Sequence, residues 1–211
     1  KYTVRLSVAC FTTFFDEEAI KPNTNHYEEN SYSAKDAVEQ MFYQEKFDTC
    51  AWAKMYHRTL FQSGIRYPKG FLYEDLPTTY LLMFKCDKVA FCNRFIYFYR
   101  LRKDSIEGSQ FSPKKMDSAL KIIDAMNEHI DLLNKVKKAF ICRMFSFSFH
   151  LLLAMPDNYE KKAQLYKLIK ENRFEVLTDR RARRKARYAA LISYLGEKCT
   201  KSIFSRINKR K

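Results

Sequence analysis

The chain has 211 residues and a mass of 25.2 kDa, enough for one domain with a real core or one and a half. Apolar residues at 46% and aromatics at 16% exclude a disordered chain, and only four glycines and five prolines argue against an all-β chain of tight turns and for a helix-rich one. The net charge of +15 is uneven: residues 1–100 carry 13 lysines and arginines against 12 acids and residues 101–211 carry 26 against 12, which points the C-terminal half toward an anionic partner, nucleic acid or membrane headgroups.

The first element is a strand, with Val4, Leu6, Val8 and Cys10 alternating with polar or small residues and Phe11 to Phe15 extending it. Asp16-Glu17-Glu18 follows, a spaced acid cluster that reads as a solvated turn or, alternatively, as hard oxygen ligands for a divalent ion. Ser33-Ala34-Lys35-Asp36 is a capping-box variant, and the helix it opens is expected to bury Ala37, Val38, Met41 and Phe42. Residues 47–61 contain the single tryptophan, Trp52, which reads as a core anchor or as the aromatic face of a sugar site. Lys54 reads equally as a contact to substrate oxygens or as a snorkelling surface lysine. His57 has no second histidine at ligand spacing and is expected at the surface.

Pro68 and Gly70 then stop any regular element, and apolar residues resume at Tyr80. A helix is predicted to begin near Asp75 with Pro77 in its first turn, where the missing N–H is no loss. Glu74 and Asp75 would then stand at a helix N-terminus, which favours ionised carboxylates; Asp75 is either an N-cap or an acceptor of protons. Residues 88–92 and 95–99 read as two short strands with Asn93-Arg94 between them. The cations Arg100, Arg102 and Lys103 come next, as a basic loop or as a clamp for an anionic group.

From Pro113 a helix carries Met116, Leu120, Ile123, Met126, Ile130 and Leu133 at spacings of three and four. A very apolar helix is expected over residues 139–155 and a third over 159–170. The apolar run at 140–155 is interrupted by Arg143 and His150 and is too short to cross a bilayer comfortably. Arg180, Arg181, Arg183, Arg184, Lys185 and Arg187 form a basic block, followed by Tyr188, Leu191, Ile192 and Leu195 on one helical face and by Ile203, Phe204 and Ile207 among further cations. Such a segment is either a solvated tail or an amphipathic surface for an anionic membrane through residues 180–211. The six cysteines, with no Cys-x-x-Cys pair, read as buried thiols of a reducing compartment.

Trp52-Ala53-Lys54-Met55-Tyr56, Leu60-Phe61, Ile65-Arg66-Tyr67-Pro68, Tyr73-Glu74-Asp75-Leu76, Tyr97-Phe98-Tyr99-Arg100 and Ser105-Ile106, in this order and spacing, resemble the second half of a bacterial family 2 glycosyltransferase. The resemblance covers residues 4–111. It implies a GT-A fold, a nucleotide-sugar donor and displacement with inversion, with Asp75 as general base and Glu74 beside it. Trp52, Lys54, Tyr73, Arg100 and Arg102 are the implied substrate-binding set. The implied fold class is α/β: part of a GT-A sheet with helices over residues 1–111, then a basic helical region over residues 112–211.

The nucleotide-binding first half of such an enzyme and its Asp-x-Asp motif have no counterpart in this sequence. The resemblance therefore implies a longer parent enzyme that uses a divalent metal, Mg or Mn, and acts on a glycan or lipid-linked acceptor in cell-surface polysaccharide synthesis. This chain alone is expected to bind no metal and to be inactive. The implied location is cytoplasmic, peripheral at the inner face of the membrane. The competing readings are a non-enzymatic basic helical module for nucleic acid or anionic membrane, and a pseudoenzyme that tethers partners.

Overall fold

The structure, a computed structural model, describes residues 3–15, 27–101 and 111–208. Asp16-Glu17-Glu18, Arg102 to Ile106 and the last three cations lie outside the described residues. The chain is mixed α/β and divides into two units, Lys1–Ser109 with Asp117–Asp131, and Gln110–Met116 with Leu132–Lys211. Against a division after residue 111, Gln110 and Phe111 fall in the second unit and Asp117–Asp131 in the first.

The first unit is built on a four-stranded sheet of β1 (Leu6–Phe14), β2 (Glu29–Ser33), β3 (Lys54–Tyr56) and β4 (Lys88–Arg100), in the order β2-β4-β1-β3. β1 runs parallel to β4 and antiparallel to β3, and β2 runs antiparallel to β4. The two strands expected at 88–92 and 95–99 are one strand. Asn93-Arg94 is not a turn between them but an irregularity within β4, where the register against β1 shifts between Ala9 and Phe11. Asn93 accepts from Glu28 N–H at 2.9 Å and donates its own N–H to Glu28 C=O at 3.1 Å, while Arg94 lies 4.3 Å from the Tyr27 ring centroid. These contacts satisfy the extra residues and keep the strand continuous.

The inner face of the sheet carries Leu6, Val8, Val89 and Phe91, all buried. Two helices belong to the same core. α1 (Ala34–Tyr43) is capped as expected: Ser33 Oγ accepts from Asp36 N–H at 3.1 Å and donates to the Asp36 carboxylate at 2.7 Å. It buries Ala37, Val38, Met41 and Phe42. α2 (Thr79–Phe84) buries Tyr80, Leu82 and Met83, with the Tyr80 ring 5.8 Å from Phe42.

α3 (Pro113–Asn127) starts on its proline, and α4 (Ile130–Leu133) follows. The stripe α3 buries is Met116, Ala119, Ile122 and Met126; Leu120 and Ile123, expected in it, are only half-buried, and Ile130 is exposed. In the second unit α5 (Lys137–Ala154) is the central helix. It is apolar almost all round because α6 (Lys162–Thr178), α7 (Arg184–Ile192) and α8 (Glu197–Asn208) all contact it. This accounts for Phe145, Phe147 and Phe149 being buried together although no single helical face holds all three. Among the described residues no helix is long and apolar enough to cross a membrane.

All six cysteines are free; Cys50, Cys86 and Cys142 are buried, Cys10 and Cys92 half-buried, and Cys199 exposed. The Cys142 thiol donates to the Asp179 carboxylate at 3.6 Å, and burial, together with that acidic neighbour, pushes its pKa from 9.0 up to about 12.

Two expectations follow for stability. Ser33→Ala should lower the unfolding free energy by about 1 kcal/mol in urea titration, by loss of the α1 cap. Between the unfolded and folded pKa of Cys142 the native state binds more protons than the unfolded state, so this stabilising contribution is complete below pH 9 and lost as pH rises toward about 12. Thermal midpoints should fall over that range, and Cys142→Ala should lessen the fall.

Candidate functional site

Every candidate site residue other than Arg100 and Arg102 lies in the stretch of chain that joins β1 to β4. The loop that leads into β3 holds Trp52 and Lys54. Lys54 does not reach outward: its ammonium donates to the carbonyls of Asp48 at 3.0 Å and Cys50 at 2.5 Å, closing the loop on itself. Cys50 N–H donates to Asp48 Oδ1 at 3.0 Å and the Cys50 thiol to Trp52 C=O at 3.4 Å. Burial raises the pKa of that thiol well above its ordinary value despite the neighbouring ammonium, so it stays protonated and unreactive. Ala53, at φ 54°, takes the left-handed conformation that completes the turn, and its carbonyl accepts from Ala9 N–H at 2.9 Å.

This turn delivers Trp52 to the outer face of the sheet, half-buried. Its indole stacks on Tyr97 and Tyr99, with centroids 4.7 and 4.9 Å away, and meets the edge of Phe11 at 4.3 Å. Trp52 and Tyr97 line an open groove of about 480 Å³. Its floor is made of small residues on neighbouring strands, Ser7 and Ala9 of β1 beside Ala90 and Cys92 of β4. Strand alternation puts Arg100, with Phe98, on the face of β4 opposite Tyr97, Tyr99 and Trp52. Arg102 lies outside the described residues.

Glu74 and Asp75 sit in a turn rather than in the first turn of a helix, since α2 starts only at Thr79. The reason is Pro77. Its nitrogen cannot donate to the Tyr73 carbonyl four residues back, which instead accepts from Leu76 N–H at 3.1 Å, so regular α-helical bonding begins one step later. The Asp75 carbonyl then accepts from Thr78 and Thr79 N–H at 3.2 and 2.9 Å. Thr78, not Asp75, is the N-cap residue. Tyr73 stands just before the acidic pair at φ 64°, a left-handed conformation that costs a bulky side chain about 1 to 3 kcal/mol.

The structure adds residues to the site that the sequence presented only inside motif stretches. The Tyr67 hydroxyl donates to Tyr56 Oη at 3.2 Å, which in turn donates to Ala51 C=O at 3.2 Å, and the Thr79 hydroxyl donates to Thr49 C=O at 2.8 Å. Burial raises the Tyr67 pKa, hydrogen bonds with Thr79 and Tyr56 pull it back, and the nearby Asp75 charge raises it further. Tyr56, buried more deeply, is raised far out of the physiological range. Both phenols therefore keep their protons at neutral pH, Tyr67 with the Asp75 charge nearby. His57 is exposed and serves locally, its Nδ1 2.8 Å from Thr59 Oγ1 at the start of a short 3-10 helix, Arg58–Ser63.

No group of three or more histidine, cysteine, aspartate or glutamate side chains converges among the described residues. Replacing the Lys54 clamp tests the loop. Lys54→Met leaves two carbonyls without their cationic donor and should cost about 2 kcal/mol in denaturant unfolding. The emission of Trp52, the only tryptophan, should shift to the red as its stack on Tyr97 and Tyr99 loosens.

Compared with protein-family models and with curated proteins, the chain matches none.

Proposed function

We propose that this chain is the acceptor-side, base-bearing portion of an inverting glycosyltransferase of GT-A fold, which transfers a sugar from a nucleotide-sugar donor to a glycan or lipid-linked acceptor in cell-surface polysaccharide synthesis. The observation that carries the reading is the strained Tyr73 backbone immediately ahead of Glu74-Asp75. A cost of that kind persists where surrounding structure over-determines it, and it sets the direction in which the acidic pair leaves the chain. The motif stretches that resemble the family supply the rest of the reading, and the mixed α/β sheet is compatible with it.

In this reading Asp75 takes the proton from an acceptor hydroxyl while that oxygen forms its bond to the anomeric carbon. The bond from that carbon to the diphosphate breaks, and its electron pair leaves with the diphosphate. Tyr67 and Tyr56 hold their protons and do not compete as bases. Trp52, stacked on Tyr97 and Tyr99, lines a groove on the face of the sheet opposite the tyrosines near Asp75 and has no part in this step; the groove is a separate aromatic surface. Lys54 acts through the loop it holds. The donor half and its divalent metal belong to the longer parent enzyme, and no step here runs through the metal. The same reading makes the enzyme cytoplasmic, in keeping with six free cysteines.

Asp75→Asn, nearly isosteric, tests the assignment in the complete enzyme. Transfer, followed as acceptor-dependent release of nucleoside diphosphate, should fall by about a hundredfold or more with fold and donor affinity kept. Near-normal transfer by the variant would remove Asp75 from the role.

A further inference from the structure

In a helix that packs on a core, the large apolar residues face inward and small or polar ones face water. α7 does the reverse. Its buried side is Ala186, Ala189 and Ala190, continued by Ser193, whereas Tyr188 is 64% exposed, Leu191 52% and Leu195 61%. Arg184, Tyr188, Leu191 and Leu195 follow one another at spacings of four, three and four, so one cation and three apolar groups form a single outward stripe. The alanines let α7 lie close to its neighbours and leave the bulky residues nothing within the unit to cover.

Charge repeats the inversion. Six cations and no acid stand between residues 180 and 187, and Arg184 and Lys185 occupy the first turn of α7, the end where the helix macrodipole disfavours positive charge. Arg187 Nε donates to Leu177 C=O at 3.0 Å, whereas Arg184 and Lys185, both exposed, stand at the helix end that would also hold an external anion. The neighbouring Tyr194 is kept in place by Arg173, whose guanidinium lies 3.8 Å from its ring centroid and donates to Ser193 C=O at 3.0 Å. On α8, Phe204 and Lys201 are turned to the unit itself. Phe204 is buried edge-on against Phe149 at 5.0 Å, and the Lys201 ammonium is bound to Met155 C=O and the Asp157 carboxylate.

We propose that the outward stripe of α7 and the turn after it, Tyr188, Leu191 and Leu195 with Arg184 and Lys185, seats the protein on an anionic lipid surface. The apolar groups enter the boundary between headgroups and acyl chains and the cations meet lipid phosphates. Nucleic acid would use the cations but has no place for two outward leucines, whereas a lipid surface uses both. The inference does not depend on the sugar-transfer reading.

Sedimentation of the full chain with vesicles tests it. Binding is expected to vesicles of phosphatidylcholine mixed with phosphatidylglycerol, to fall with salt, and to be weak with phosphatidylcholine alone. Leu191→Ser with Leu195→Ser should lower the partition coefficient by about tenfold or more. Arg184→Glu with Lys185→Glu should abolish the preference for anionic vesicles. Both pairs are exposed, and unchanged circular dichroism and melting would show that the variants fold. Equal binding to neutral and anionic vesicles, equal binding by the leucine variant and the parent, or burial of the stripe by self-association in sedimentation velocity would each overturn the proposal.

Discussion

The parallel pairing of β1 with β4 is the constraint on which the first unit depends. Parallel neighbours cannot be joined by a tight turn, so the chain leaving the end of β1 must travel back to the start of β4 before it can pair. That return path has to be long. It contains α1, β3, the Trp52 loop, the acidic pair and α2, so almost everything with chemical interest is a by-product of one strand pairing. β1 also pairs with β3 on its other side and is thereby held on both edges. This explains how loops of irregular backbone can be anchored firmly enough to carry left-handed residues at Ala53 and Tyr73.

Within that path polar groups divide into those that hold and those that are held. Lys54 and Thr79 spend their hydrogen bonds on loop carbonyls 49 to 50 and nearby, which turns the segment before β3 into a rigid bracket. The bracket presents an aromatic ring on one side of the sheet and, through Ala51, the paired tyrosines on the other. Burial keeps both phenols neutral, and the Asp75 charge adds to the rise at Tyr67.

What could be read beforehand followed the range of the forces involved. The Ser33 cap was legible because its partners are three residues apart, and β1 was legible because its own alternation declares it. β2 was not, since Glu-Asn-Ser-Tyr-Ser has little strand character and is a strand because β4 pairs with it. Pro77 was correctly placed near a helix start, but the missing N–H delayed regular bonding to Thr79 and moved Asp75 out of the cap. In α3 the spacing was right and the face was turned slightly, because Ala119 and Ile122 rather than Leu120 and Ile123 face the packing partners. Of the candidate site, the acidic pair and Trp52 were visible as motif residues. The Tyr56 and Tyr67 contact was not, because it joins residues eleven apart through a chain path that only tertiary structure defines.

The irregularity in β4 has a consequence of parity. From Ala9 to Phe11 β1 advances by two residues while its partner advances from Cys92 to Tyr97, a surplus of three. An odd surplus exchanges the two faces of a strand, and an even one would restore them. Before the irregularity the even-numbered Ala90 and Cys92 share the outer face; after it the odd-numbered Tyr97 and Tyr99 do, which is the only reason an indole finds two rings to stack on there. Removing one residue at Asn93-Arg94 would make the surplus even, so plain alternation from Cys92 would carry Tyr97 and Tyr99 to the same outer face and the aromatic platform would survive without the irregularity.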